Sequence, residues 1–306
     1  MILKSAPTIG FYRFTIVFLL VTARMQTSWA EANHPLEVHS VTIDATTVTL
    51  PPPLLPDGLD AAGQELILKR IAGQYPLDRF LTGSINSPFT LRRKTIENAD
   101  KQPIGFELGL WFVAQGNPES IRSEGVFAKL METKRTDHTE TRVPLTDAEL
   151  ASRNIVVPQP NQVDTDQGST AYFHFSAPVI DRVIVEGVLR GTFSKTEESY
   201  RAGVTLDETF ADDAEYPNRW QHIAADQTEK VPYSGFTAYA KATELLDHKD
   251  LVLIECHAVI HEPQEWFAGT NVLSSKLPLA VQTSVRRFRR SLIPDAAPPS
   301  ESSATQ

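Results

Sequence analysis

The single cysteine of the chain, Cys256, is followed directly by His257, and a thiolate–imidazole pair is the sharpest chemistry these residue types offer. Around them, Val252, Ile254, Cys256, Ala258 and Ile260 alternate with Glu255, His257 and His261. A strand with that alternation turns thiol and imidazole to opposite faces, so the pair needs a bulge to meet. In an apolar row the thiol is buried and inert, because desolvation disfavours the thiolate. His257 and His261 share a face, but four residues of strand set them about 13 Å apart. That is too far for one metal ion, and they read as two surface histidines. Asp164-Thr165-Asp166-Gln167-Gly168 opens like a calcium loop but carries Phe175 where the distal carboxylate belongs. Asp207, Glu208, Asp212, Asp213 and Glu215 supply carboxylates without ligand spacing and read as a solvated loop. G-x-S-x-G, H-E-x-x-H, C-x-x-C and a Gly-rich phosphate loop are all absent, so no metal and no cofactor is expected. The groups left that can exchange a proton or orient a carbonyl are Arg190, Tyr200, Tyr239 and Glu255. Arg286, Arg287, Arg289 and Arg290 crowd the end of the last apolar-striped segment. They suit a helix C-terminus, and they make a membrane surface with anionic headgroups a candidate partner.

The elements that must position these groups are legible in the periodicity. Leu36 to Leu50 is rich in β-branched residues and reads as extended, and Pro51-Pro52-Pro53 then reads as a stiff linker, so residues 31–58 form a segment before the main domain. Asp60 caps a helix whose stripe is Ala62, Leu66, Ile67 and Ile71, ended by Gly73 and Pro76. Phe89 to Glu97 alternates weakly as a strand. Ile104 to Gln115 is apolar on both parities, as a strand covered on both sides requires. Asn117-Pro118 starts a helix to about Glu132, and residues 133–170 read as mostly loop. Ala171–Ala177, Arg182–Ser194 and Tyr200–Leu206 alternate as strands, the last two as a hairpin. Phe236–Glu244 and Leu251–His261 form a second hairpin. Leu273, Leu277, Val281, Val285, Phe288 and Leu292 then recur at helical spacing, with Pro278 among them. Residues 59–292 are thus one α+β domain, and residues 293–306, rich in Pro, Ser and Ala, are a disordered tail.

The chain has 306 residues, 29 Lys+Arg against 38 Asp+Glu, and a formal net charge of −9. That length supports a core without disulfides, which one cysteine could not supply. The acidic balance argues against nucleic acid as a partner. Lys4 and Arg13, an apolar run from Phe14 to Ala23 and the small residues Ser28 and Ala30 lay out a secretory signal peptide cleaved after Ala30. The run is half the length a spanning helix needs, and the expected product is exported to a periplasm or outside the cell.

The passage Tyr239-Ala240-Lys241-Ala242-Thr243-Glu244 through Leu253-Ile254-Glu255-Cys256-His257, with Trp266-Phe267-Ala268-Gly269 and Leu277-Pro278-Leu279, resembles the end of a START-like domain. This superfamily groups lipid-transfer and polyketide-cyclase-like proteins. The resemblance covers residues 104–292 and rests on the order strand, helix, antiparallel strands, C-terminal helix. It implies a helix-grip fold, in which a curved antiparallel sheet packs on the C-terminal amphipathic helix and an apolar tunnel runs between them. The lining it implies is Leu189, Phe193, Val204, Leu206, Ile254, Ala258, Val281, Val285 and Phe288. Three readings stand together: a non-enzymatic carrier of a lipid or apolar small molecule, an envelope or structural accessory protein with a filled core, and an enzyme using the same cavity. Ligand identity and oligomeric state are not encoded in any motif.

Overall fold

The computed structural model describes residues 39–118, 121, 141–157, 169–180, 182–223, 229–267 and 272–292. Residues 1–30, where a leader is expected, residues 293–306, where a tail is expected, the Asp164 segment and the body of the helix expected over 117–132 lie outside the described residues. The start of that helix is described, with the Ile121 amide on the Asn117 carbonyl at 3.2 Å.

The first strands are β1 (Ser40–Ile43) and β2 (Thr46–Thr49), a two-stranded hairpin turned at Asp44 and Ala45 with φ of 45° and 62°. Helix α1 (Ala61–Ala72) follows, its first turn capped by the Asp60 carboxylate accepting from the Gly63 amide at 2.8 Å. Its buried side is Gln64, Leu68, Ile71 and Ala72, while Leu66, expected in the apolar stripe, is 71% exposed. The stripe is rotated because Gln64 belongs inside: its amide donates to the Glu244 carbonyl and accepts from the Leu246 amide. A short helix α2 (Leu77–Phe80) buries Phe80.

The main sheet comprises β3 (Phe89–Glu97), β4 (Pro103–Gln115), β5 (Thr141–Pro144), β6 (Ser169–Val179), β7 (Val183–Lys195), β8 (Ser199–Leu206), β9 (Arg219–His222), β10 (Val231–Pro232), β11 (Phe236–Leu245) and β12 (His248–His261). Its pairings are antiparallel, in the order β10-β9-β7-β8-β11-β12-β4-β3, with β6 along β7 and β5 on β6. β7 gives Val183–Glu186 to β9 and Leu189–Lys195 to β8. At that split the Asn218 side chain accepts from the Val188 amide at 3.0 Å and donates to the Asp207 carbonyl at 2.8 Å. Position 187 is glycine for the same reason, since a Cβ there would sit 2.4 Å from the Asn218 oxygen. Within residues 133–170, expected to be mostly loop, the described part holds β5 and a helix α3 (Asp147–Ala151), fixed by a Thr146–Glu149 capping box.

The sheet is a middle layer. On its inner face lie Phe106, Leu108, Leu110, Phe112 and Ala114 of β4 with the opposing rows of β12, β11 and β8. Helix α4 (Val272–Ser291) buries Leu273, Leu277, Val281, Val285 and Phe288 against them. The outer face of β4, Trp111 and Val113, packs with Leu55, Leu68, Ile71 and Phe80. Val41, Ile43 and Leu50 pack with Tyr239, Val259, Ile96 and Ile104. Residues 39–58 are therefore no linker ahead of the domain but a strap across its sheet. Their apolar side chains need a surface, and the outer face of β11 and β12 supplies it.

Candidate functional site

Strand alternation and register place the expected ligand-facing residues together. Leu189, Val204, Leu206, Ile254 and Ala258 lie on the inner face, and Val281, Val285 and Phe288 face them from α4 in one apolar cluster. Phe193 packs on the same cluster and stays partly exposed. The Phe288 ring meets Phe112 edge-on at 5.3 Å. The middle of this wall is built of small side chains: Ala202 of β8, Ala238, Ala240 and Ala242 of β11, and Cys256 and Ala258 of β12. Leu189, Val204, Ile254, Ala258 and Phe288 each retain 0% of their surface, so water-sized access reaches them neither from outside nor from a void. Cys256 is a free, buried thiol, and burial pushes its pKa up, followed by the charge of Glu255.

The polar candidates divide between the faces. Tyr200 lies at the end of the inner row of β8, opposite Ala242. Tyr239, Glu255 and Arg190 do not join it, because each sits one residue from an inward-facing neighbour and alternation turns it outward. Arg190 is partly exposed, 4.0 Å from Asp207. The Tyr239 hydroxyl donates to the Pro51 carbonyl at 2.7 Å, and burial, with Glu255 adding to it, pushes its pKa up. Glu255 accepts the Leu54 amide at 2.8 and 3.0 Å, the Leu55 amide at 3.3 Å and His257 Nε2 at 2.8 Å. Burial alone would raise this carboxyl, but the His257 hydrogen bond and the Leu54 amide hold it below its ordinary value.

Lys241, which no motif singled out, completes the arrangement. Its ammonium donates to the Leu55 carbonyl at 2.7 Å and pairs with Asp57 at 2.6 Å. Burial would raise Asp57, yet the hydrogen bond and charge of Lys241 hold it low, with the Thr196 and Ser199 hydroxyls donating to its other oxygen at 2.9 Å. His257 and His261 are buried, not surface histidines, since β1, β2 and the Pro51–Asp57 segment cover their face. His257 stacks on Tyr239 at 5.0 Å and meets Trp111 edge-on at 5.1 Å. Tyr239, Lys241 and Glu255 thus read the backbone of residues 51–57 and have no path to the inner layer. The signal for this was polar residues alternating mid-strand opposite a segment carrying Val41, Ile43, Leu50, Leu54 and Leu55.

Among the described residues, no group of three or more His, Cys, Asp or Glu side chains could hold a metal ion. Three of the carboxylates of 207–215 are engaged in the fold: Arg153 binds Asp213 at 2.6 and 2.9 Å and Glu215 at 3.4 Å, and Arg219 binds Asp212 at 3.0 Å. Of the basic cluster on α4, Arg289 is buried, donating to the carbonyls of Val113, Ser87 and Pro88 at 2.8, 2.5 and 2.9 Å. Burial lowers its pKa to about 10. Arg286 and Arg290 are exposed.

No protein-family model and no curated protein sequence matches the chain. A search of solved structures finds the human StarD13 (DLC2) lipid transfer and protein localization domain, 12% identical, covering 78% of this chain and 99% of that chain with a TM-score of 0.39.

Proposed function

We propose that the protein is an exported, non-enzymatic binding protein that takes an apolar small molecule or a lipid between its sheet and α4, in a helix-grip arrangement. One observation carries this reading. The inner rows from Ala202 to Leu206, Phe236 to Ala242 and Val252 to Ile260 hold no charged side chain, and small residues at their centre face the apolar stripe of α4. A wall of that kind takes a hydrocarbon by shape and excludes polar groups. The enzymatic reading loses support because Tyr239 and Glu255 are bonded to the chain's own residues 51–55. Export rests on the charge, apolar run and small residues of positions 1–30.

The test is titration of the protein with cis-parinaric acid, beside mass spectrometry of its organic extract. The reading expects saturable uptake at one site and a co-extracted lipid, with uptake lost in Ala240→Leu, which fills the wall. A second reading, an envelope or accessory protein with a filled core, is favoured by the closed surface of Leu189, Val204, Ile254 and Ala258. No uptake and no extractable lipid would leave that second reading in place of the first.

A further inference from the structure

Strand β3 ends the main sheet: it pairs with β4 along its nine residues, and among the described residues no strand lies on its other side. An end strand of that length leaves a row of N–H and C=O groups without ladder partners. Its side chains are distinctive for a chain with 38 acidic and 29 basic residues. Arg92, Arg93 and Lys94 follow one another and are exposed. Two of them are held at the edge by rings, the Arg92 guanidinium 5.1 Å from the Trp111 ring centre and that of Arg93 4.7 Å from Phe106. Arg93 also lies 3.9 Å from Glu262. On the inner side of the same strand Phe89 and Leu91 are half-buried.

This pattern rejects a second copy of the strand. Antiparallel self-pairing over all nine residues centres on Arg93, setting Arg93 against Arg93 and Arg92 against Lys94, and like charges directly opposite destabilise a pair. We infer that the β3 edge docks an extended acidic segment of a partner protein, which adds to the sheet as a further strand. Its carboxylates then face Arg92 and Lys94 on the outer side, and its apolar residues lie beside Phe89 and Leu91 on the inner side. The ladder supplies affinity and the cations choose the partner.

The experiment is fluorescence anisotropy on the full-length protein with labelled eight-residue peptides. One alternates Glu and Val, one alternates Lys and Val, and one keeps the Glu–Val composition with every second residue of D configuration, which holds the charge and forbids the strand. The expected result is that the first binds at least tenfold tighter than either of the others. Lys94→Glu, and separately Arg92→Glu, should each weaken it tenfold or more, with the circular dichroism spectrum of both variants unchanged at the assay temperature. No binding, equal binding of the D-containing peptide, or binding untouched by both substitutions would overturn the inference. So would a dimer in light scattering that Lys94→Glu tightens by setting a carboxylate against Arg92 of the second copy, or phosphatidylglycerol vesicles captured through the same two residues.

Discussion

Arg289 carries a positive charge into the protein interior, and it does so against carbonyl oxygens: three of them, from Val113, Ser87 and Pro88, converge on its guanidinium. A planar fork of five donors reaches three separate carbonyls from one side chain. Arg289→Ala should cost about 3 kcal/mol or more, since the carbonyls are left buried without partners. Arg290→Ala, at an exposed position one residue on, should cost under about 1 kcal/mol. Urea unfolding of the two variants side by side measures the difference, and equal losses would place the helix on its other face. His39 makes a prediction about pH. Its ring lies against Tyr239 at 6.1 Å and Thr205 at 3.5 Å, and its pKa is lowered to about 4, first by burial and then by the charges of Arg201 and Arg190. The unfolded chain then binds a proton that the folded one refuses. Stability is full above about pH 6.5 and falls as pH drops toward 4, by about 2 kcal/mol at pH 5. His174 and His261 are lowered too, both first by burial, and add to the same slope. A His39→Gln variant should lose less stability between pH 7 and pH 5 than the wild type, read by chemical denaturation at each pH.

At the level of elements, one sheet is covered by two different kinds of layer. The inner layer is apolar and periodic, and α4 holds to it through Val281, Val285 and Phe288. Each such side chain contributes on the order of 1.5–3 kcal/mol when buried, comparable in sum to the net stability of a domain. Val281→Asp or Phe288→Asp should therefore unfold the protein or release the helix, because an unpaired carboxylate is not tolerated in that layer. Arg286→Ser should leave the thermal midpoint nearly unchanged. Aspartate variants that melt with the wild type would refute the packing. The outer layer is a strap held largely by side chains of β11 and β12 that bind its backbone, Tyr239 to Pro51, Glu255 to Leu54 and Leu55, and Lys241 to Leu55. Such a segment needs no strand partner, which is why three consecutive prolines are compatible with it.

The whole molecule closes late in the chain, because β4, formed by residues 103–115, finds its inner partner only in β12, formed by residues 248–261. Pairing across that separation waits for loop closure, so the fold is a slow one for its size. For the protein in its compartment, the expectation is a mature chain beginning at Glu31. Intact-mass measurement on material exported by its own host checks it, and a full-length product in the membrane fraction would refute it. The periodic segments were legible in the sequence by themselves. Alternation over 183–206 and 236–261 and the helical spacing of Leu273 to Phe288 state which residues share a face, because side-chain direction follows backbone geometry alone. The apolar inner cluster follows from that parity. What covers each face was decided only in three dimensions. Glu255, His257 and Lys241 have the composition of solvent-facing positions and are buried, since their partners Leu54, Leu55 and Asp57 lie about 200 residues away in sequence and no local period encodes them. Leu66 is exposed and Gln64 buried for the same reason: the turn between β11 and β12 offers the glutamine a donor and an acceptor that a leucine could not use. Local geometry sets the direction of a side chain; the free energy of its surroundings is set by chain that arrives from elsewhere.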